Sequence, residues 1–382
     1  MFKKFLDEKK LGGLNCLIWK DGEVIYQESE GFKNLETQEL MTPDTIFRFA
    51  SMTKPITSLL AMKLIEEKKL NLEDPISKWF PQFRNLKVLK SRNGEPVEAN
   101  RLITIHDLLT HRSGFTYRGF LGGDIDSELS NEQWINGLAE IPLSHQPGEI
   151  FDYGRSTDLL GILISTIEKK PLGKVMEEKI FKPLSMSDTF FYVPKEKRSR
   201  CASNIGYDES GNIISLEVVP SKMAFKERPA NLEYESGGQG LWSTTGDYLK
   251  FARLFVENGC SDGARILEQD TMALMCTNQL TESQRVNSKL LGSSIFKEHH
   301  GFGLGVAVVM KESNLSMPCS GSVGSVGWPG AYGGWWSADP VKKAVSIFLT
   351  HSMAELSQYA QGIGFELFEA IDIFSKYCKE RI

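Results

Sequence analysis

The chain has 382 residues, 41% hydrophobic and 24% charged, with 44 basic and 49 acidic side chains and a net charge of −5. That length exceeds one simple core and suits two joined lobes, the composition is that of an ordinary soluble globular protein, and the mixed charge offers no basic surface for nucleic acid or anionic lipid. The six cysteines, at 16, 201, 260, 276, 319 and 378, form no C-x-x-C pair and no zinc-finger spacing, so free thiols in a reducing compartment are expected and no metal or organic cofactor is implied.

Residues 1–10 read as a short amphipathic helix without the apolar stretch of a signal peptide. No run of about 18 apolar residues exists to span a membrane, and a cytoplasmic protein is expected. Apolar stretches at 14–19 and 24–26 flank Lys20-Asp21-Gly22-Glu23, a strong hairpin signal. A helix is predicted over 51–69, and 84–100, with Asn93-Gly94 and Pro96, as a loop or exposed hairpin. Thr104 caps a short helix that ends near Gly114, and 116–130 read as a glycine-containing loop. Leu159, Leu160, Leu163, Ile164 and Ile167 form one stripe of a helix over 157–168. Residues 200–235 read as short strands and loops, and 245–258 and 266–276 as helices. Strands are predicted over 303–310, 331–338 and 344–350, and a closing helix over 354–377. Strands at both ends with helices between predict one α/β lobe from residues 1–75 and 236–382. A mainly helical and loop lobe, 76–235, is inserted into it.

The chemistry begins at Ser51-Met52-Thr53-Lys54, at the head of the 51–69 helix. Residues three apart share a helix face, so Lys54 comes within reach of the Ser51 hydroxyl. A serine becomes a useful nucleophile only when a neighbour takes its proton. The helix N-terminus also favours negative charge nearby. Alone, a Ser-x-x-Lys match is weak, since most such pairs are solvated helix surface. Four further segments strengthen it: Pro147-Gly148 before Phe151-Asp152-Tyr153, Gly237-Gly238-Gln239-Gly240, Phe302-Gly303-Leu304-Gly305, and Gly327-Trp328-Pro329-Gly330-Ala331.

With these motifs in this order, together with Leu108-Leu109-Thr110-His111-Arg112-Ser113-Gly114, the chain resembles the serine β-lactamase and penicillin-binding-protein-like superfamily from about residue 10 to residue 370. The nearest pattern is that of class C β-lactamase-like esterases, the family VIII carboxylesterases. The resemblance implies an antiparallel sheet flanked by helices with an inserted helical lobe. It also implies that Ser51 is the nucleophile of an acyl-enzyme, Lys54 its partner in proton transfer, and Tyr153 the general base in phenolate form. The backbone N–H groups of Ser51 and Ala331 match the oxyanion-hole donors, and Gly330 lets the backbone approach the substrate. Taken without the motif order, Tyr153 is a plain core tyrosine. Trp328 stays open between pocket wall and substrate contact. His106 and His111 read as structural. Gly237 to Gly240 lacks the lysine of a phosphate loop.

Two departures from the lactamase pattern shape the expected substrate. Where lactamases carry Lys-Thr-Gly, whose lysine holds a carboxylate, this chain has Trp328-Pro329-Gly330. Where they carry Tyr-x-Asn it has Tyr153-Gly154-Arg155, leaving Arg155 as a substrate contact of unknown direction or a partner for Asp158. Pro329 puts the local strand pairing in doubt. The expectation is a serine carboxylesterase for small neutral esters. Acyl transfer, amidase, D-peptidase or weak β-lactamase activity, and a catalytically silent binding or filament-forming homologue are the alternatives. Pocket walls are expected from 84–100, 116–130, 220–235 and 285–300; the oligomeric state is open.

Overall fold

In the computed structural model, which describes every residue except 90–94, 118–127, 219–231, 291–292 and 297, the Asp21-Gly22 turn joins β1 (Gly13–Lys20) to β2 (Glu23–Asn34). Both turn residues have positive φ, 47° and 100°, the conformation a two-residue hairpin loop needs to match strand twist. β3 (Glu39–Leu40) extends that edge. The other strands come from the far end of the chain: β4 (His300–Phe302), β5 (Ala307–Val309), β6 (Val326–Gly327), β7 (Trp335–Asp339) and β8 (Ala344–Thr350). They form one antiparallel sheet in the order β4-β5-β6-β7-β8-β1-β2-β3. The two ends of the chain meet where Leu14 lies opposite Thr350 and Lys20 opposite Ala344.

Of the helices among the described residues, six matter most to the sheet and the site: α1 (Lys3–Asp7), α2 (Thr53–Glu66), α3 (Ile105–Leu109), α4 (Ser156–Glu168), α5 (Thr245–Arg253) and α6 (Glu366–Arg381). Successive strand side chains point to opposite faces, and here both faces are covered. Leu14, Cys16, Ile18, Trp335 and Phe348 meet Phe2 and Phe5 of the N-terminal segment and Leu367, Ile371 and Phe374 of α6. Leu17, Trp19, Trp336, Ala338, Val345, Ile347 and Leu349 turn the other way and join the main core with α2, α4 and α5. That double cover explains why β1 reads as a continuous apolar run rather than an alternating one.

α2 has eleven of its 14 residues buried, so it is a central helix and shows no single apolar stripe. It begins at Thr53, after a 3₁₀ turn over Ala50–Met52, and ends at Glu66, earlier than the predicted 69 because Lys68 turns left-handed at φ 57°. The capping box on α3 is present: Thr104 accepts from Asp107 N–H, and the Asp107 carboxylate accepts from Thr104 N–H.

Several predicted bounds shift. Of the predicted 303–310 strand only Ala307–Val309 (β5) is strand; Gly305 at φ 98° turns the chain back onto β4, which ends at Phe302. The 331–338 strand starts only at Trp335. The 354–377 helix starts at Glu366, after a short helical turn, Leu356–Tyr359, and left-handed Gly362 and Gly364. The helices predicted over 245–258 and 266–276 are Thr245–Arg253 and Gln269–Cys276. Lys87–Val88 pairs with Val97–Glu98 as the base of the exposed hairpin, whose 90–94 tip lies outside the described residues. Most of the 116–130 and 220–235 loops and part of 285–300 also lie outside them. Among the described residues no helix is long and apolar enough to cross a membrane.

Candidate active site

Ser51 sits in the 3₁₀ turn that feeds α2. Ala50, just before it, has φ 44°, a left-handed conformation that costs a residue with a Cβ about 1–2 kcal/mol. Packing holds it there: Ala50 is buried against Tyr332 and Met353. Three hydrogen bonds clamp the turn. Phe49 N–H donates to Leu241 O (2.9 Å), Leu241 N–H donates to Thr53 Oγ1 (3.1 Å), and Tyr248 OH donates to Met52 O (3.1 Å). Ser51 is therefore fixed by its neighbours and stays half-buried.

Two side chains reach its hydroxyl, and two more back them. Tyr153 OH donates to Ser51 Oγ at 2.7 Å, and Lys54 Nζ lies 3.3 Å from the same oxygen. Lys54 also donates to Gly238 O at 2.7 Å and to Tyr117 OH at 3.3 Å, and sits 4.7 Å from the Tyr153 ring centre. Trp328 Nε1–H donates to Tyr153 OH at 3.1 Å, with ring centres 5.1 Å apart. The sequence thus brings Ser51, Lys54, Tyr153 and Trp328 together. The indole is only 2% exposed, and its contact is with Tyr153.

Tyr117 is the member that sequence reasoning missed. It lies just past Ser113-Gly114 in a stretch read only as loop. A bridge between Thr116 and Gly154 docks that stretch beside Tyr153, leaving the two tyrosine rings 5.6 Å apart. No local pattern marks it; only that pairing does.

The electrostatics follow from burial. Lys54 is 1% exposed. Burial alone lowers an ammonium pKa, but the field of Tyr117, Tyr153 and Asp158 outweighs it and holds Lys54 above the ordinary lysine value. Burial pushes the Tyr117 hydroxyl up, against the pull of Lys54. His111, buried beneath Tyr153 with ring centres 4.7 Å apart, is pushed well below the ordinary histidine value by burial and by the Lys54 cation. It is neutral at pH 7 and lies beside Gly154 N–H and Thr157 Oγ1, each 3.4 Å away. His106 is tied to Gln279 and Arg112. Neither ring has a hydrogen bond to Ser51 among the described residues.

The turn after β6 meets Ser51 from the sheet side. A Cβ at Gly330 would fall 2.5 Å from Phe49 O, so only glycine allows this approach. Gly330 N–H donates to Gly334 O (2.7 Å) and Gly333 N–H to Gly330 O (3.0 Å). Ala331 lies exposed at the tip of this turn, and its N–H makes no hydrogen bond within the described residues. Pro329 falls two residues past the end of β6, so the ladder loses nothing to it. Arg155 is buried, with its guanidinium carbon 5.5 Å from the Tyr117 ring centre. It does not pair with Asp158, whose Oδ1 accepts from Tyr234 OH, Ser236 Oγ and Gly238 N–H.

A constellation of serine, lysine and tyrosine at hydrogen-bond distance can form and release an acyl group. The family model described as Beta-lactamase matches residues 1–366. Protein Rv1367c of Mycobacterium tuberculosis is 35% identical over 369 residues, covering 93% of this chain and 89% of that protein. Esterase EstB of Burkholderia gladioli is 26% identical over 375 residues, covering 93% and 90%. The solved structure of EstCE1, described as a hydrolase with promiscuous acyltransferase activity, matches with a TM-score of 0.76 at 25% identity, covering 98% and 96%.

Proposed function

This chain belongs to the β-lactamase family, with the β-lactamase/transpeptidase-like fold, and we propose that it is a serine hydrolase cleaving small carboxylic esters through an acyl-enzyme on Ser51. The observation that carries the reading is the contact of Tyr153 OH with Ser51 Oγ at 2.7 Å, with Lys54 Nζ 3.3 Å from the same oxygen. The ester enters between a lobe of residues 1–75 and 236–382 and a lobe of 76–235. With Tyr153 first deprotonated to the phenolate, Ser51 Oγ attacks the carbonyl carbon as its proton passes to that phenolate oxygen. Lys54, held as a cation, offsets the negative charge on that oxygen, and the Trp328 N–H donates to it. The Ser51 and Ala331 N–H groups receive the carbonyl oxygen as it becomes an oxyanion. Donors of this kind contribute about 3–4 kcal/mol each. Tyr153 then protonates the leaving alcohol, and water enters by the reverse sequence to free the acid.

Neutral esters are the favoured class. Trp328 supplies an indole N–H where a carboxylate-binding enzyme needs a cation, and Arg155 is buried over Tyr117. Transfer of the acyl group to another acceptor is the second reading, supported by the description of EstCE1 and by the exposed position of Ala331. The test is Ser51→Ala against wild type, with p-nitrophenyl butyrate turnover and covalent labelling by a fluorophosphonate as readouts. Loss of both in a folded protein is expected. Turnover near wild type by the alanine variant would end the Ser51 assignment.

A further inference from the structure

Gly237-Gly238-Gln239-Gly240 has the glycine content of a phosphate loop but none of its lysine, and its use emerges only in three dimensions. Gly238, through the two peptide groups that flank its Cα, stands between two buried charges. Its carbonyl accepts from Lys54 Nζ at 2.7 Å, and its own N–H donates to Asp158 Oδ1 at 3.1 Å. A Cβ at Gly238 would fall 2.4 Å from Asp158 Oδ2, and one at Gly237 would fall 2.8 Å from Thr157 O, so both glycines are needed for the loop to lie this close to α4. Asp158 is 1% exposed. Tyr234 OH and Ser236 Oγ also donate to its Oδ1, a set of three donors that suits a carboxylate, and its Oδ2 has no hydrogen-bond partner in the described structure.

We propose that Asp158 is a positioning residue for Lys54, acting through the Gly238 backbone: it anchors the residue whose carbonyl holds the ammonium and sets a buried negative charge opposite it. The inference rests on Lys54 being part of the reacting cluster. Among the described residues, the titratable and charged groups that face this pair are Tyr117 and Tyr153 at Lys54, His111 beneath Tyr153, Arg155 over Tyr117, and Tyr234 at Asp158. A buried negative charge makes it harder for the Lys54-Tyr117-Tyr153 cluster to give up a proton, whichever member loses it. The base in this cluster forms by loss of a proton, so activity is expected to rise toward alkaline pH, and removing the charge must move that rising limb toward lower pH.

The test compares Asp158→Asn with wild type, using kcat and KM for p-nitrophenyl butyrate from pH 5 to 10, with rates expressed per fluorophosphonate-titrated Ser51 so that only folded molecules count. The asparagine keeps the shape and an accepting oxygen and loses the charge. The expected result is a limb displaced downward by about one pH unit, a kcat lowered at its plateau by about tenfold, and a KM within about twofold. Tyr234→Phe, which removes a hydrogen bond from Asp158 and leaves its charge, is expected to keep the limb in place. A D158N limb that does not move, with or without loss of rate, overturns the proposal, as does an equal displacement in Y234F. Ser51→Ala separates this from the hydrolase reading: if that variant is dead while D158N behaves as wild type, the hydrolase stands and the role of Asp158 falls.

Discussion

Trp328→Phe removes one N–H from the back of Tyr153 and leaves a ring in the same place. The hydrogen bond at stake is 3.1 Å long and buried, with the indole 2% exposed, so water cannot replace it cheaply. A bond to a neutral hydroxyl contributes about 1 kcal/mol, and one to a charged oxygen about 1.5–3 kcal/mol. If Tyr153 must become a phenolate before it can take the Ser51 proton, kcat falls by about 10-fold to 150-fold; if its oxygen stays neutral throughout, the loss is about fivefold. KM stays within about twofold, because the indole acts on Tyr153 and not on the ester. The smaller ring also loosens the packing with Phe302, whose ring centre is 5.2 Å from the indole, and lowers stability by about 1–3 kcal/mol. Urea unfolding measures that part separately. The assay is steady-state turnover of p-nitrophenyl butyrate together with the second-order rate of fluorophosphonate labelling, which reports acylation alone. A labelling rate and kcat both within twofold of wild type would refute the charged-oxygen argument and leave Trp328 as packing.

Tyr153→Phe is expected to lower kcat by more than a hundredfold with a smaller change in KM, because the missing oxygen handles the proton in flight; an unchanged kcat in stopped-flow assays would pass the base role to Lys54. Short neutral p-nitrophenyl esters are expected to exceed nitrocefin in kcat/KM by about a hundredfold or more, since a carboxylate beside Trp328 loses hydration without gaining a partner; efficient nitrocefin hydrolysis by the wild type would sink the ester preference. Stability is expected to fall as pH drops from 6.5 to 4. His351 is buried with a pKa pushed down to about 4, so over that window the unfolded chain binds the extra proton and the folded chain does not. That one group removes about 3 kcal/mol across the window. A urea midpoint that stays level between pH 6.5 and 5 would contradict it.

Local chemistry alone marks much of this protein. Asp21-Gly22 specifies its hairpin because few other pairs accept two left-handed residues in succession. Thr104 and Asp107 specify the start of α3 because side chains must satisfy unpaired N–H groups there. Ser51 and Lys54 are legible because a helical turn puts them on one face whatever surrounds them. The order of the motifs, including Tyr153 and Trp328, identified the family from sequence, since a pattern spread over the chain carries more information than any one match. Helix ends near Lys68, Gly362 and Gly364 were misjudged where a left-handed residue stops a pattern that hydrophobicity would continue. What no local pattern encodes is contact between distant segments. Tyr117 reaches Lys54 only because Thr116 pairs with Gly154. Trp328 could be wall or contact until its N–H was seen to end on Tyr153. The glycine loop at 237–240 gains its meaning from Lys54 on one side and Asp158 on the other. These contacts span 38 to 184 positions of chain, and they exist only because the folded core holds α2, α4 and the sheet at fixed distances.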